Sequence, residues 1–321
     1  MSARAATAAL LAAALVYPLL FFGDGAWLVR SNYAIDVGML ALFAAFLGQS
    51  WNVAGGFAGL TSFGHVLFFG TGAYCSTILH VGHGVNPWFG WVAATTAGAA
   101  LGAAVGHLTF RVGLRGSYFA LITLAFAETF RVLANSVGFT RGGLGILIPL
   151  DQRAAALQFH DPIWFYYLAL ALCASGLAIA WWLTRSRFGT YLAAIRENED
   201  AARALGIDVV RQKVRCLALS GAMAAAGGTF YAQKYLYIDP SIAFGVDRSV
   251  EMLLVAMIGG AGTVFGPLVG AGAVVALGEA TRALSDARGL GLILYGLLLV
   301  AIVGFLPNGL VGLVRAARRD A

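Results

Sequence analysis

Apolar runs recur along the whole of this chain, each close to the ~20 residues that an α-helix needs to cross the hydrocarbon core of a bilayer. They lie near residues 5–22, 33–51, 62–80, 88–109, 117–137, 162–184, 213–232, 249–262, 265–281 and 289–306, about ten in all. Composition agrees, because only 11% of the 321 residues are charged, against roughly 25% in an average soluble domain. Mean hydropathy is +0.81. A transmembrane barrel would show short alternating segments instead of unbroken runs, so the backbone must satisfy its own hydrogen bonds as helices. The expectation is an all-α integral membrane protein, one polytopic transmembrane domain over residues 1–321, with some helices short or broken at glycine-rich stretches. The first run, "AATAALLAAALVYPLLFF" after Arg4, lacks a clear small-x-small cleavage site and reads as an uncleaved first helix.

The formal charge of +6 taken alone would point to nucleic acid, but the basic residues sit in short connections between spans. Arg111 and Arg115 share one such connection, and seven of the 21 lie between Arg185 and Arg215. Arg315, Arg318 and Arg319 close the chain. With ten spans all three groups fall on one side. The excess of Lys and Arg in cytoplasmic connections makes that side the cytoplasm and puts both termini there. Opposite lie "HVGHGVNP", "GFTRGGLGILIPLDQRAAALQFHDP" and "QKYLYIDPSIAFGVDRS". Tryptophans near span ends, such as Trp88 and Trp164, suit interfacial anchors.

Glycine crowds into "GGFAGLTSFGHVLFFGTGAY", residues 55–74, and a later stretch, "MIGGAGTVFGPLVGAGAVVA", echoes it. Glycine in a membrane helix either lets a second backbone approach closely or marks a place where the helix unwinds and frees its polar groups. Gly55, Gly56, Gly59 and Gly64 occur together with Thr61, Ser62 and His65, which supply polar side chains at the same depth. Interrupted helices in corresponding parts of a transporter point to its pathway. The expectation is a broken helix beside a route through the protein, with Gly259, Gly260 and Gly262 as its counterpart.

Asp36, Glu128, Arg131, Glu251 and Glu279 fall in or at the ends of spans, where an unpaired charge costs at least ~2.5 kcal/mol. Glu128 and Arg131, three residues apart, are placed to pair on one helix face. A proton or ion relay through Glu128 or Glu279 is the sharper alternative and would make the chain an ion-coupled secondary transporter. Cys75, Cys173 and Cys216 are too dispersed for a disulfide frame. His80 and His83 lack further ligands for a metal.

The only long run rich in both charge signs is "TRSRFGTYLAAIRENEDAARALGIDVVRQKVR", residues 184–215. Ala194, Ile195, Asn198, Ala201, Ala202 and Leu205 recur at helical spacing on one side, with Arg196, Glu197, Asp200 and Arg203 on the other. Glu199 and Arg203 are set for an i,i+4 pair, and Gly206 ends the helix before Ile207. Such a helix is either an interfacial connector or a docking surface for a partner.

Within that run "EDAARALGI" looks like the EAA loop by which permeases of ABC importers contact their ATPases. "SRFGTYLAAIRENEDAARALGI", "KVRCLALSGAMAAAGG", "GGAGTVFGPLVGA", "WNVAGGFAGLTSFGHVLFFGTGAY" and "LPNGLVGL" together resemble the LivM-type permeases of branched-chain amino acid importers. The match runs from about Asn52 onward. The resemblance implies a transport subunit without enzymatic chemistry, in a bacterial inner membrane, with an ATPase-coupling loop at 185–212. It also implies a second homologous permease, two cytoplasmic ATPase subunits and an external solute-binding protein as partners. No cofactor would be bound by this chain, and ATP and Mg would be used by the partner subunits. The chain has only two lysines, Lys213 and Lys234, and no Gly-Lys-Ser or Gly-Lys-Thr with which to cradle phosphates. One loop departs from the family, reading "TRGGLGI" with Arg141 and Leu144 set into a Thr-Gly-Gly pattern. That leaves urea, short amides and aromatic carboxylates open beside branched-chain amino acids.

Overall fold

A computed structural model of the chain describes Tyr17, residues 31–151 and 153–284, and short pieces between 296 and 312. The spans expected near 5–22 and 289–306 lie almost wholly outside the described residues. Among the described residues the architecture is helical, with one two-residue strand pair. Helix α1, Ser31–Asn52, continues into a π-helical turn, Val53–Phe57; α2 is Val66–His83, α3 Pro87–Arg111 and α4 Gly116–Ser136. Helix α5 is Pro162–Leu183, α6 Arg187–Glu197, α7 Glu199–Ala204 and α8 Val209–Tyr235. A five-residue helix α9, Pro240–Phe244, precedes α10, Val246–Gly259, and α11, Gly266–Leu284. Among the described residues, four segments are long and apolar enough to cross a membrane: Tyr33–Phe57, Pro87–Arg111, Gly116–Ser136 and Pro162–Leu183.

Local chemistry sets these boundaries. Helices α3, α5 and α9 each begin on an Asx-Pro pair, in which the carboxamide of Asn86 and the carboxylates of Asp161 and Asp239 accept from backbone N–H groups of the first turn. Proline follows at the first helical position, where its missing N–H costs nothing. Helix α3 packs along α8, and glycine makes that approach possible. A Cβ on Gly102 would sit 2.5 Å from the Leu217 carbonyl oxygen, and one on Gly98 2.7 Å from that of Gly221, so the backbones meet as small-residue faces do in membranes. Phenylalanine rings fill the centre, with Phe43 and Phe230 at 4.9 Å between centroids.

The connections separate into two ends. At one end Ile146–Leu147 (β1) pairs antiparallel with Tyr237–Ile238 (β2), and Trp88 Nε1 donates to the Ala154 carbonyl at 3.0 Å. At the other end Arg115 meets the segment between α5 and α8, as do both glycine-rich breaks. Two sequence-derived boundaries need correction. The span expected from 62 starts only at Val66, because residues 59–64 are not helical, and the span expected over 249–262 stops at Gly259. At 14 residues α10 rises about 21 Å, short of the ~30 Å core.

Candidate functional site

The two glycine-rich stretches, more than 200 residues apart in sequence, touch. Fully buried Asn52 joins them: Gly262 N donates to its Oδ1 at 2.7 Å, and its Nδ2 donates to the Thr263 carbonyl at 3.0 Å. The close approach requires glycine at residue 56, where a side chain would strike the Gly262 amide. Trp51 closes the first break by donating from Nε1 to the Ser62 carbonyl at 2.8 Å, and Cys216 Sγ donates to the Val53 carbonyl at 3.2 Å.

The charged segment reaches into this junction through one side chain. Arg196, at the end of α6, donates from Nη1 to the Gly56 carbonyl at 2.9 Å and packs its stem over Gly59. Gly59 has φ +69°, a left-handed conformation that side chains resist. Arg196 Nη2 also donates to Glu197 at 3.2 Å.

A charged hub anchors the rest of the segment. Glu199, 15% exposed, pairs with Lys213, 6% exposed, and also with Arg115 at 3.3 Å and Arg203 at 3.4 Å. The Lys213 ammonium lies 5.3 Å from the Phe110 ring centre. Arg115 grips Asp200 with both terminal nitrogens, at 3.2 and 3.0 Å, the two-pronged geometry that guanidinium and carboxylate prefer. That contact holds the Asp200 carboxyl below the usual carboxylate range. Between hub and break lies a cavity of about 210 Å³, lined by Gly59, Thr61, Arg115, Phe119, Arg196 and Lys213 among others.

The sequence-predicted residues therefore divide. Gly59 and Thr61 are exposed and line the cavity. Gly55 and Gly262 are partly covered, while Gly56, Ser62, Gly64, His65, Gly259 and Gly260 are buried. His65 is locked in the core, with Nε2 2.6 Å from Ser220 Oγ, which donates to the Ser50 carbonyl at 2.6 Å. Gly64 packs against the Thr123 backbone of α4. These residues hold the break in shape and do not open on the cavity.

The single amphipathic helix expected around Arg196 to Ile207 is two helices. Asn198 leaves helical geometry at φ −156°, ψ 109°, and its side chain accepts from Asp200 N and Ala201 N, capping α7. Gly206, φ +82°, follows the end of α7, and the Glu199–Arg203 pair forms as spaced. The expected small face is split. Ala202 is buried against Ile195 and Val209, whereas Ala201 points outward and Leu205 is 81% exposed. Asn52, Arg115 and Lys213 were not singled out by sequence as site residues. Arg115 carried only a topological signal, and the signal for Lys213 was the rarity of lysine.

Every charge flagged inside a span has a partner. Asp36 pairs with Lys234 at 3.0 Å, Glu128 with Arg131, Glu251 with Arg248 and Glu279 with Arg282, the last three each at 2.8 Å. Tyr33 also donates to Glu279. Among the described residues no three His, Cys, Asp or Glu side chains converge as metal ligands would.

Long apolar helices, interrupted spans and a charged surface segment tied to the interruptions define an integral membrane protein of the permease type. The chain belongs to the family described as branched-chain amino acid transport system, permease component, whose model matches residues 32–303. It is 28% identical over 309 residues to the high-affinity branched-chain amino acid transport system permease protein LivM of Salmonella typhimurium, and 29% identical over 309 residues to that of Escherichia coli K12. Each alignment covers 89% of this chain and 71% of the relative. A shorter match, 31% identical over 109 residues, is to the autoinducer 2 import system permease protein LsrC of Klebsiella pneumoniae, covering 33% of this chain and 31% of that one. The chain is thus an ABC-type permease by family, and relatives within its reach carry more than one kind of solute in their names.

Proposed function

We propose that this chain is the translocating subunit of an ATP-driven importer in a bacterial cytoplasmic membrane, moving branched-chain or other hydrophobic amino acids into the cytoplasm. The whole chain acts as one permease domain, and the loop at 185–212 receives motion from outside it. A second homologous permease, two cytoplasmic ATPase subunits and an external solute-binding protein complete the assembly. ATP and Mg are handled by the ATPases, so this chain needs no cofactor. The single observation that carries the reading is the Arg196 bridge. One end of the segment presents Leu205 and Ala201 to the outside, and the other holds the Gly56 carbonyl. A push on α7 is therefore delivered to the junction of the two interrupted spans, where Gly59, Thr61 and Gly262 adjust the route.

Co-expression with a candidate ATPase tests this. Leu205→Asp and Ala201→Arg alter only exposed positions on α7 and at its C-cap. Each is expected to abolish recovery of the complex or solute-stimulated ATP hydrolysis while the permease still inserts. Unchanged recovery and uptake would reduce the segment to a connector. Ala202→Arg is a poor probe because it disrupts packing within the chain itself.

A further inference from the structure

Helix α4 is the least buried of the four candidate spans. Phe119, Ala120, Thr123, Ala127 and Ala134 pack inward, and the opposite side is open. On the flank between these sides, at helical spacing, stand Leu124, Glu128, Arg131 and Asn135. Glu128 lies 12 residues beyond Gly116, the first residue of the helix, about 18 Å along the axis and so near the middle of a ~30 Å core. The Glu128 and Arg131 side chains are nevertheless 40% and 37% exposed. Lipid is a poor cover for such a pair at that depth.

The pair is also chemically unfinished. Arg131 uses Nε toward Glu128 Oε2 at 2.8 Å, and among the described residues its two terminal nitrogens make no hydrogen bond. Asn135 Nδ2 donates to the Arg131 carbonyl at 3.1 Å and leads up to Gly143 of the glycine loop. Toward the other end the flank turns apolar at Leu124 and exposed Leu121, and the foot of the helix, Gly116 and Phe119, lines the charged cavity.

We propose that this flank of α4 is a solute-binding wall for the zwitterionic head of an α-amino acid. The free fork of Arg131 takes the carboxylate, Glu128 takes the ammonium group, and Leu121 and Leu124 take the aliphatic side chain. A guanidinium fork matches a carboxylate bidentately, and a zwitterion offers the opposite charge to each partner of the existing ion pair. The assignment rests on the amino acid import reading and names where that solute sits.

The test is thiol protection in the reconstituted complex without the external binding protein. Leu124→Cys is labelled by a water-soluble maleimide in the presence of leucine, leucinamide or 4-methylpentanoate, and the parent chain with its three native cysteines serves as blank. Leucine is expected to slow labelling, and the two analogues, each lacking one charge, to do so only at about tenfold higher concentration, the equivalent of one charge-assisted contact. Arg131→Gln should erase the advantage of leucine over leucinamide, and Glu128→Gln its advantage over 4-methylpentanoate. Arg131→Lys, which keeps the charge and loses the fork, serves if the first variant fails to fold, and should weaken protection without reversing selectivity. No labelling, labelling without protection by leucine, or protection unchanged in the variants overturns the site. Protection needs no ATP, so ATP-independent leucine uptake in the same vesicles would sink the importer reading while leaving the site standing.

Discussion

Arg196 and Asn52 carry most of the specificity at the junction, and each makes a separable prediction. Arg196→Ala removes one hydrogen bond from a charged donor to the Gly56 carbonyl. For a half-exposed side chain that is worth about 1 kcal/mol. Thermal unfolding should shift little, but solute-stimulated ATP hydrolysis in the assembled complex should fall by at least ~10-fold, since tenfold in a rate corresponds to only about 1.4 kcal/mol. Arg196→Lys should not restore it, because an ammonium lacks the fork that reaches Gly56 and Glu197 together. Equal coupling in all three proteins would end the bridge argument. Asn52→Ala leaves the Gly262 amide and the Thr263 carbonyl without their partner. It should cost about 2 kcal/mol of stability, read as a lowered unfolding midpoint in detergent. The glycine breaks were legible in sequence because glycine clustered with Ser, Thr and His. The Asn52 clamp was not, because a lone asparagine says nothing about a backbone that lies 210 residues away.

At the scale of the element, the segment between α5 and α8 is pinned as well as exposed. Lys213→Met strips Glu199 of its most buried partner but leaves Arg115 and Arg203 within reach. The expected loss is about 2 kcal/mol, below the ~3–5 kcal/mol of a buried pair broken outright, and limited proteolysis should cut faster between α6 and α8. No change in cutting would show that the hub is not what pins the segment. The Arg115–Asp200 contact depresses the Asp200 pKa, so whatever it contributes is fully present above the ordinary carboxylate value and is lost only as pH falls through the lower folded value. Coupling should therefore be flat from about pH 6 to 8 with respect to this pair; a titration in that window that disappears in Asp200→Asn would contradict the assignment. Periodicity placed a helix here correctly yet missed its division. The missed signal was local: Asn198 followed by Glu199 and Asp200 is an N-cap with an acidic first turn, and it outweighed a stripe of small residues that continued across it.

For the molecule as a whole, hydropathy located most of the helices, since apolar runs of span length leave the backbone few alternatives. Charge predicts which connections share an end, and two of the basic ones, at Arg115 and between α5 and α8, do meet. Which faces are open was not legible, because lipid-facing and protein-facing residues of a membrane helix are equally apolar, and only the paired ions on α4 distinguish one flank. Orientation is directly testable: Ala154→Cys should react with an impermeant maleimide in intact cells, and Ala201→Cys only after the membrane is opened. The same reagent reaching both, or the reverse, would invert the proposed topology. The π-helical turn Val53–Phe57 ends the first described helix against the junction that Arg196 holds. A π turn accommodates one more residue than the α-helix needs, and returning that residue to regular winding displaces the end of the helix by about 1.5 Å. The interruption is thus a small reserve of slack, and a pull at the segment can be taken up there by a shift of winding without tearing the helix from its packing.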